Sequence, residues 1–416
     1  MFKRRITPFA CIIISLLVCI VTFVSVYSYS EIKHKQEINE IRLDSTQYGE
    51  YSDFIGLTEG ESEKYTKLAQ MIAMIEGYYI HDYDKSAVWE NLYKSLVVSI
   101  ADDYGQYLTA EEYASLIDSA DGDFVGIGVH ATFDVDTEGV YIFGVIPNSP
   151  AEKAGIKKGD VIIKAEGIVS SEKTYYELLD SVRGEAGTEV SVTVLRDGEE
   201  HDFKIVRQAV ASENVFYEKL DNNVAFIRIL SFADETVSEE FTKKLALAQS
   251  EGCDKFVFDV RNNSGGYLGE ICDVLDLLLP EGPIINIVDK DGNTKTQNSD
   301  ANCIKGKMAV LCNKGTASAA ELFTAALRDY KLADIIGTTT FGKGTMQTTR
   351  YLIDGSTLKL SSAFYNPPSN VSYDKIGIKP DYEIKLSEEW DVRFFKMPKE
   401  EDIQLKQALT LLNATN

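Results

Sequence analysis

A serine and a lysine in the last third of the chain have the types and spacing of a nucleophile and its base. Ser318 stands at the start of a helical pattern, and Lys343 follows between two glycines, 25 residues later (343 − 318 = 25). All four histidines, the last of them His201, precede this part of the sequence. A Ser-His-Asp triad confined to it is therefore excluded, and a Ser-Lys pair is the variant of that chemistry that remains.

A lysine can serve as a base only if its surroundings favour the neutral amine. Free lysine is protonated at neutral pH, and burial among apolar groups lowers its pKa. Lys343 has Phe341 nearby and no acidic residue in the segment 337–351. If the chain from Lys343 to Gln347 is extended, the two side chains share a face, and Gln347 could hold the amine or the nucleophile in line.

Each of these residues also has a simpler interpretation. Ser318 and Glu321 have the spacing of a capping box, in which the serine only caps the helix. Lys343 could be an ordinary solvated lysine in a turn.

Acyl transfer also requires N–H donors aimed at the developing oxyanion. The Ala319 N–H is one candidate, because it lies beside the nucleophile at a helix N-terminus. A second donor could come from Gly265 or Gly266 in the loop Asn262-Asn263-Ser264-Gly265-Gly266, which follows a strand. The alternative for this loop is a flexible glycine turn.

Short β-rich runs begin near residue 123 and continue to a hairpin around Asp197-Gly198. The glycine-bearing start of a strand, the Ser149-Pro150-Ala151 helix start and the Gly159-Asp160-Val161 strand together resemble a PDZ domain. That resemblance implies that one loop presents N–H groups to a peptide's terminal carboxylate while the peptide adds a strand to the sheet edge. The residues concerned are Val125, Gly126, Ile127, Gly128 and Val129.

Beyond residue 209, predicted strands alternate with predicted helices. Such alternation indicates crossover units and a sheet with parallel character. Two hairpins, at Asp291-Gly292 and Asp354-Gly355, embellish this part of the chain. A final amphipathic helix is expected to pack on the body or on a second subunit, and a homodimer is left open.

The N-terminus has the pattern of a membrane anchor. Residues 6–30 carry no charge, and their apolar centre from Phe9 to Tyr27 follows Lys3-Arg4-Arg5. The run is close to the ~20 residues that cross a bilayer, with the positive residues on the inner side. We expect a single-pass cell-membrane protein whose bulk is extracytoplasmic. An uncleaved anchor is favoured over a signal peptide cleaved near Ser28-Tyr29-Ser30.

Composition excludes several classes of function. The net charge of −23 opposes binding to nucleic acid. No CxxC pair or Cys/His spacing resembles a metal site, so no metal and no cofactor are expected. The cysteines beyond the N-terminal segment are expected to be small buried residues, with one disulfide as the alternative: Cys253, Cys272, Cys303 and Cys312.

Three motifs together resemble the signature set of the C-terminal processing peptidases, also called tail-specific proteases. They are Asp259-Val260-Arg261-Asn262-Asn263-Ser264-Gly265-Gly266, Gly315-Thr316-Ala317-Ser318-Ala319-Ala320-Glu321, and Gly342-Lys343-Gly344 with Gln347. Gly377-Ile378-Lys379-Pro380-Asp381 resembles the late motif of that family. The resemblance implies that Ser318 is the nucleophile, Lys343 the general base and Gln347 the residue that supports the lysine.

The chain departs from the family pattern at two places. Asn263-Ser264-Gly265-Gly266 stands where the family usually has Asn-Pro-Gly-Gly, and Asp102-Asp103-Tyr104-Gly105 stands where it usually has Asp-Pro. Some relatives also have a PDZ arginine that links peptide binding to the active site, and Arg183 is the candidate here.

The resulting expectation is an α/β catalytic core of crotonase- or Clp-protease-like βα units with an inserted PDZ domain and an N-terminal helical layer. The expected segments are a signal anchor (1–30), a stalk (31–60), a helical part (61–120), the PDZ domain (121–209), the protease core (210–395) and a C-terminal helix (396–416). The expected function is that of a membrane-anchored serine endopeptidase that binds protein or peptide C-termini as substrate. The alternative is a catalytically silent PDZ scaffold outside the membrane.

Overall fold

The structure is a computed structural model that describes residues 59–100, 102–121, 125–211 and 213–414. The predicted signal anchor, with Cys11 and Cys19, and the predicted stalk through residue 58 lie outside the described residues. The chain divides into two units, one ending at Lys85 and one beginning at Ser86. Within the described ranges, no helix is both long enough and apolar enough to cross a membrane.

The first unit contains one long helix, α1 (Glu59–Tyr78). The helical spacing of Leu68, Ile72 and Ile75 predicts it. After the helix, the ring of Tyr79 packs edge-on against His81 and Tyr83. The ammonium of Lys85 lies 2.7 Å from the Glu76 carboxylate.

The second unit begins with helices α2 (Lys85–Ser99) and α3 (Ala110–Asp121), joined through strand β1 (Gln106–Leu108). A capping box starts α3: the Thr109 N–H donates to Glu112, and the Glu112 N–H donates to the Thr109 hydroxyl. The sequence predicts a purely helical layer here and does not predict strand β1. It pairs with strand β18 (Thr357–Asn366) of the core, so this layer is joined to the core by backbone hydrogen bonds.

A PDZ-like body follows, with a sheet in the order β3-β4-β5-β7-β8. Its interior is filled by apolar side chains from both strands and helices, including Ile142, Leu178 and Val192. Strand β3 stands at one edge of this sheet. The elements are β2 (Val125–Gly126), β3 (Val129–Asp134), β4 (Gly139–Val145), α4 (Pro150–Ala154), β5 (Val161–Ala165), β6 (Ile168–Val169), α5 (Tyr175–Val182), β7 (Glu189–Arg196), β8 (Glu199–Val206) and β9 (Gln208–Ala209).

The core is a six-stranded sheet in the order β10-β11-β12-β15-β16-β19, parallel except for the pairing of β10 with β11. Because parallel strands need crossovers, helices α6, α7 and α8 connect them and pack on one face. The elements are β10 (Val215–Leu220), β11 (Val224–Ile229), α6 (Val237–Ser250), β12 (Lys255–Asp259), α7 (Leu268–Asp276), β15 (Lys307–Cys312), α8 (Ala319–Asp329), β16 (Ala333–Gly337) and β19 (Tyr382–Glu383).

The two predicted hairpins form and join into a second sheet. They comprise β13 (Gly282–Asp289) with β14 (Thr294–Ser299), and β17 (Thr345–Tyr351) with β18. Strand β18 pairs with β1, β13 and β17, so all five strands belong to one sheet. The strand that follows Lys343 is thereby linked to the helical layer through β18.

The C-terminal segment covers the other face of the core sheet. Helix α9 (Glu388–Val392) is followed by helix α10 (Ile403–Asn413), whose apolar side chains pack on alternate residues of the parallel strands. The final helix therefore packs on the body of its own chain. Cys253, Cys272, Cys303 and Cys312 are free thiols.

A buried ion cluster attaches helix α10 to the sheet. The guanidinium of Arg261 is fully buried and contacts the carboxylates of Asp259, at 2.8 Å, and Asp402, at 2.7 Å. Burial alone would raise the pKa of Asp259, but the guanidinium groups of Arg261 and Arg228 hold it well below its ordinary value. Asp402 also caps α10 by accepting the N–H groups of Gln404 and Leu405.

We expect Asp402→Ala to reduce the free energy of unfolding by about 3 to 5 kcal/mol, because it leaves a buried guanidinium short of a partner. Urea unfolding followed by circular dichroism would measure the change. Glu239→Ala removes an exposed ion pair with Lys243 and should leave the free energy of unfolding nearly unchanged. Equal, small losses in both variants would contradict this assignment.

Candidate active site

Ser318 precedes helix α8 with a strained backbone. Its φ of 55° and ψ of −121° are values that residues other than glycine rarely adopt. Gly265 lies directly against it: a Cβ atom there would stand 2.7 Å from Ser318 Cβ and 2.8 Å from the Ala319 nitrogen. Only glycine fits at this position, so the glycine loop and the serine turn are built as one unit.

One buried carboxylate, Glu321, holds the serine turn and the lysine loop together. Its Oε2 accepts the backbone N–H groups of Ser318, at 3.0 Å, and Lys343, at 2.7 Å. Its Oε1 accepts the Gly342 N–H, at 2.7 Å, and the Thr340 hydroxyl, at 2.6 Å. Burial raises the pKa of Glu321, and these four hydrogen bonds oppose that effect. The capping-box interpretation is therefore correct but incomplete.

The late glycine motif supports the lysine loop from the other side. Gly342 has a φ of 97°, and its carbonyl accepts the Lys375 N–H at 2.7 Å. A Cβ on Gly377 would lie 2.3 Å from the Thr340 carbonyl oxygen. The Gly344 N–H donates to Asp374 at 2.9 Å. Gly342 and Gly344, the two neighbours of the lysine, are thus held by close backbone contacts. A side chain at either position would obstruct them.

The Lys343 side chain is half-buried and lies on an aromatic ring. Its Nζ is 4.3 Å from the centroid of the Tyr104 ring. Burial lowers the pKa of Lys343, the positive charge of Lys359 lowers it further, and the charge of Asp102 opposes both. The shift has the direction that a general base requires.

Ser318 is hydrogen-bonded to a tyrosine. The Tyr365 hydroxyl lies 3.0 Å from Ser318 Oγ and 2.7 Å from the Lys343 carbonyl oxygen. A carbonyl can only accept, so the single phenolic proton belongs to it and the serine hydroxyl donates to the phenol oxygen. Within the described part of the chain, no hydrogen bond joins Ser318 to Lys343.

No hydrogen bond joins Gln347 to the lysine amine in the described residues. Strand β17 starts at Thr345 and has a bulge between Met346 and Gln347, so the extended register expected from Lys343 onward is not formed. The Gln347 amide donates to Ser361 Oγ at 3.1 Å, and that hydroxyl donates to Asp102 at 2.9 Å. Gln347 therefore reaches the lysine indirectly, through the turn that carries Tyr104.

The oxyanion candidates differ in availability. Asn263 Oδ1 already accepts the Gly265 N–H at 2.8 Å. In the described residues, no hydrogen bond engages the N–H groups of Ala319 and Gly266. The two loops are joined because the Ala317 N–H donates to the Asn263 carbonyl at 2.9 Å. Ala319 and Gly266 are thus the donors left to serve an incoming carbonyl oxygen.

Comparison with known proteins agrees with this geometry. Residues 223–384 match Peptidase family S41, and residues 125–206 match a PDZ domain. Over 333 residues the chain is 34% identical to a probable CtpA-like serine protease of Staphylococcus aureus strain COL, which covers 79% of this chain. This chain belongs to the S41 peptidases. It spans 66% of the length of that relative.

Solved structures support the S41 fold. The photosystem II D1 C-terminal processing protease superposes with a TM-score of 0.50 at 28% identity, over 76% of this chain and 86% of that one. A putative S41 protease from Bacteroides fragilis gives a TM-score of 0.54 at 20% identity, over 75% and 87% of the two chains, which supports the fold alone. The predicted α/β core with an inserted PDZ domain is confirmed.

The candidate peptide-binding residues of this S41 peptidase lie at one end of the PDZ sheet. Val125 and Gly126 form β2, which pairs with β9, and Val129 begins β3. Ile127 is buried, and its carbonyl accepts the Ala151 N–H at 2.7 Å. A Cβ on Gly128 would stand 2.4 Å from Ser149 Cβ.

Arg183 follows the last residue of α5 and is exposed, with its guanidinium 3.7 Å from Asp180. Asp180, one of its partners, lies on the preceding helix, and the proposed link to the active site stays a prediction.

Sequence reasoning missed three parts of the site. It assigned Glu321 to capping alone and gave no role to Tyr104 or Tyr365. The spacing of Ser318 and Glu321 indicates the contact of the carboxylate with the serine turn. Its contacts with the lysine loop depend on how that loop folds back in three dimensions. No local pattern marks Tyr365, which comes from a strand 47 residues beyond the serine (365 − 318 = 47).

We expect Glu321→Gln to lower kcat/KM by about 100-fold or more. Its amide NH₂ must face the Gly342 N–H in one orientation, or the Ser318 and Lys343 N–H groups in the other, and either repulsion would displace the serine turn or the lysine loop. The matched control is Glu112→Gln, in the exposed capping box of α3, where the change should leave kcat/KM within about twofold. Steady-state cleavage assays would compare the two variants. Equal activity in both would contradict the conclusion that Glu321 holds the serine turn and the lysine loop together.

Proposed function

We propose that this S41 peptidase is an extracytoplasmic, membrane-anchored serine endopeptidase that cuts protein substrates near their C-termini by a Ser-Lys mechanism. One observation carries the proposal: a single buried carboxylate fixes the backbones of a strained serine and of a lysine whose pKa is lowered. Tyr365 lies within 3.0 Å of both Ser318 Oγ and the Lys343 carbonyl, so the two residues border one site.

The chemistry begins when neutral Lys343 takes the proton of Ser318 as its oxygen attacks a peptide carbonyl. The oxyanion that forms is stabilised by the Ala319 and Gly266 N–H groups. The protonated lysine then gives its proton to the leaving amine, which produces an acyl-enzyme. Water activated by the same lysine hydrolyses the ester and restores the serine. No step draws on a histidine, in keeping with the positions of all four.

The PDZ body suits the capture of a peptide tail. Among the described residues, strand β3 pairs only with β4, and its other edge can accept a strand. A tail whose carboxylate lies at the loop 125–128 would pair antiparallel with β3. Its preceding residues would extend towards Asp134, the last residue of β3. There a cavity of about 380 Å³ lies between residues 132–135 and residues 391–396 and reaches Asn262, the first residue of the oxyanion loop.

The proposed localisation rests on the N-terminal sequence. The uncharged centre from Phe9 to Tyr27, after Lys3-Arg4-Arg5, supports a single-pass anchor with the protease outside the cytoplasm. Fractionation of cells, followed by protease accessibility of intact spheroplasts, would test both points. Recovery of the full-length chain in the cytosol would overturn the localisation.

We expect Ser318→Ala and Lys343→Ala each to abolish cleavage of a protein with an unstructured apolar tail, while both variants still bind a tail peptide. Ser250→Ala and Lys290→Ala, at exposed positions, should keep full activity. Mass spectrometry of a substrate mixture would identify the cut sites. Cleavage that persists in Ser318→Ala would refute the mechanism, and tail binding without cleavage by the unchanged protein would support the scaffold alternative.

The pH dependence should report Lys343. Because the lysine must be neutral, kcat/KM should rise from acid pH and level off below the ordinary lysine value of 10.5. Lys359→Met removes a positive charge that disfavours the ammonium, so it should raise the pKa of Lys343 and move the acid limb to higher pH. Lys295→Met, on exposed β14, is the control. An acid limb that does not move in Lys359→Met would contradict the assignment of the base.

A further inference from the structure

The Lys343 ammonium has an aromatic ring as its partner. In the described residues, neither a salt bridge nor a hydrogen bond engages its Nζ, whereas the Tyr104 centroid is 4.3 Å away. A cation at that distance over a tyrosine face is attracted by the ring quadrupole, the more so where water is partly excluded. The ring therefore holds the amine, and no hydrogen bond joins the amine to Ser318 in the described residues.

The ring is placed there by a rigid turn. Asp102 accepts the Ser361 N–H at 2.7 Å, the Ser361 hydroxyl at 2.9 Å and the Tyr104 N–H at 3.1 Å. A Cβ on Gly105 would lie 3.0 Å from Asp102 Cβ, so this turn is tightly closed. Strand β1, which follows it, pairs with β18. The turn that carries Tyr104 is thus attached to β18 of the second sheet at two points, through Asp102 and through β1.

The nucleophile is held by a second tyrosine. Ser318 Oγ is bonded to the Tyr365 hydroxyl, which is itself fixed by the Lys343 carbonyl. Both catalytic side chains consequently have partners other than each other. Direct proton transfer requires a hydrogen bond between Ser318 Oγ and Lys343 Nζ, and none is present in the described residues.

Several charged groups face Lys343, and none replaces the ring. Asp102 in the turn favours the ammonium, and Lys359 on β18 disfavours it. Glu321 on α8 is occupied by backbone N–H groups, and Asp374 accepts the Gly344 N–H. Because a π face attracts the ammonium and not the neutral amine, the ring holds the protonated lysine selectively.

We propose that Tyr104 is a positioning residue: its ring face holds the Lys343 ammonium in the free enzyme, and loss of the proton releases the amine towards Ser318. The inference rests on the proposed Ser-Lys mechanism for its consequence, but the contact itself is independent of activity. Tyr104 thereby couples the protonation state of the base to its position.

The test varies the ring face without changing its shape. Tyr104→Phe in the full-length protein, followed by phenylalanine analogues with one to three ring fluorines at the same position, weakens the π face step by step. Acetic anhydride labels neutral amines, and mass spectrometry quantifies labelling of Lys343 at several pH values. At a fixed pH below the labelling midpoint, we expect the trifluoro variant to label about two- to tenfold faster than Tyr104→Phe.

Activity gives a second, separable measurement. The acid limb of kcat/KM should move to lower pH along the same series, from Tyr104→Phe to the trifluoro variant. Labelling and pH profiles that do not change along the series would show that Tyr104 only fills space. Labelling that shifts while no variant, including the unchanged enzyme, cleaves any substrate would support the tyrosine contact and refute the proposed function.

Discussion

Burial of the Glu321 carboxylate is the constraint on which the rest of the site depends. Three of its four donors are backbone N–H groups, of Ser318, Gly342 and Lys343. Because it binds backbone groups, the carboxylate fixes the backbone of the serine turn and of the lysine loop. The side chains of Ser318 and Lys343 are positioned only indirectly, through these two segments. An unpaired carboxylate in this interior would be costly, and the loops must therefore converge on it whenever the core forms.

Convergence on one carboxylate lets segments far apart in sequence supply a single site. The strained turn at Ser318 is possible only because Gly265 brings no side chain against it, and Gly266 presses equally closely on Phe232. The glycine loop and the serine turn lie at the ends of two neighbouring parallel strands of the core sheet, β12 and β15. The second sheet adds Tyr365 and, through β1, the turn with Tyr104. Strain of about 1 to 3 kcal/mol at such a serine persists because its surroundings determine it.

Sequence reasoning succeeded where the signal is local and failed where it depends on pairing between distant strands. Ser318, Lys343 and the alternation of strands and helices follow from motif and periodicity. The direct support of Lys343 by Gln347 does not form, because a bulge and a late strand start change the register that an extended chain would give. Strand β1, Tyr104 and Tyr365 were not predicted, since each acquires its place only after two sheets assemble.

A serine and a base held by separate tyrosines have consequences for the energetics of catalysis. Moving both groups into contact breaks a cation–π contact and a hydrogen bond, each of the order of 1 kcal/mol, before any bond to substrate changes. Under the proposed function, interactions with a bound substrate tail offset that cost, so binding energy from parts of the substrate remote from the cleaved bond contributes to the chemistry. The segment from Arg393 to Lys396 is well placed for this role: it pairs with Asp136 and Asp134 of the PDZ body, while Phe394 lies 4.7 Å from the Arg261 guanidinium, next to the oxyanion loop. Under the proposed function, a tail bound along β3 would lie beside the cavity that this segment lines, and the contact of the same segment with Arg261 lies next to the oxyanion loop.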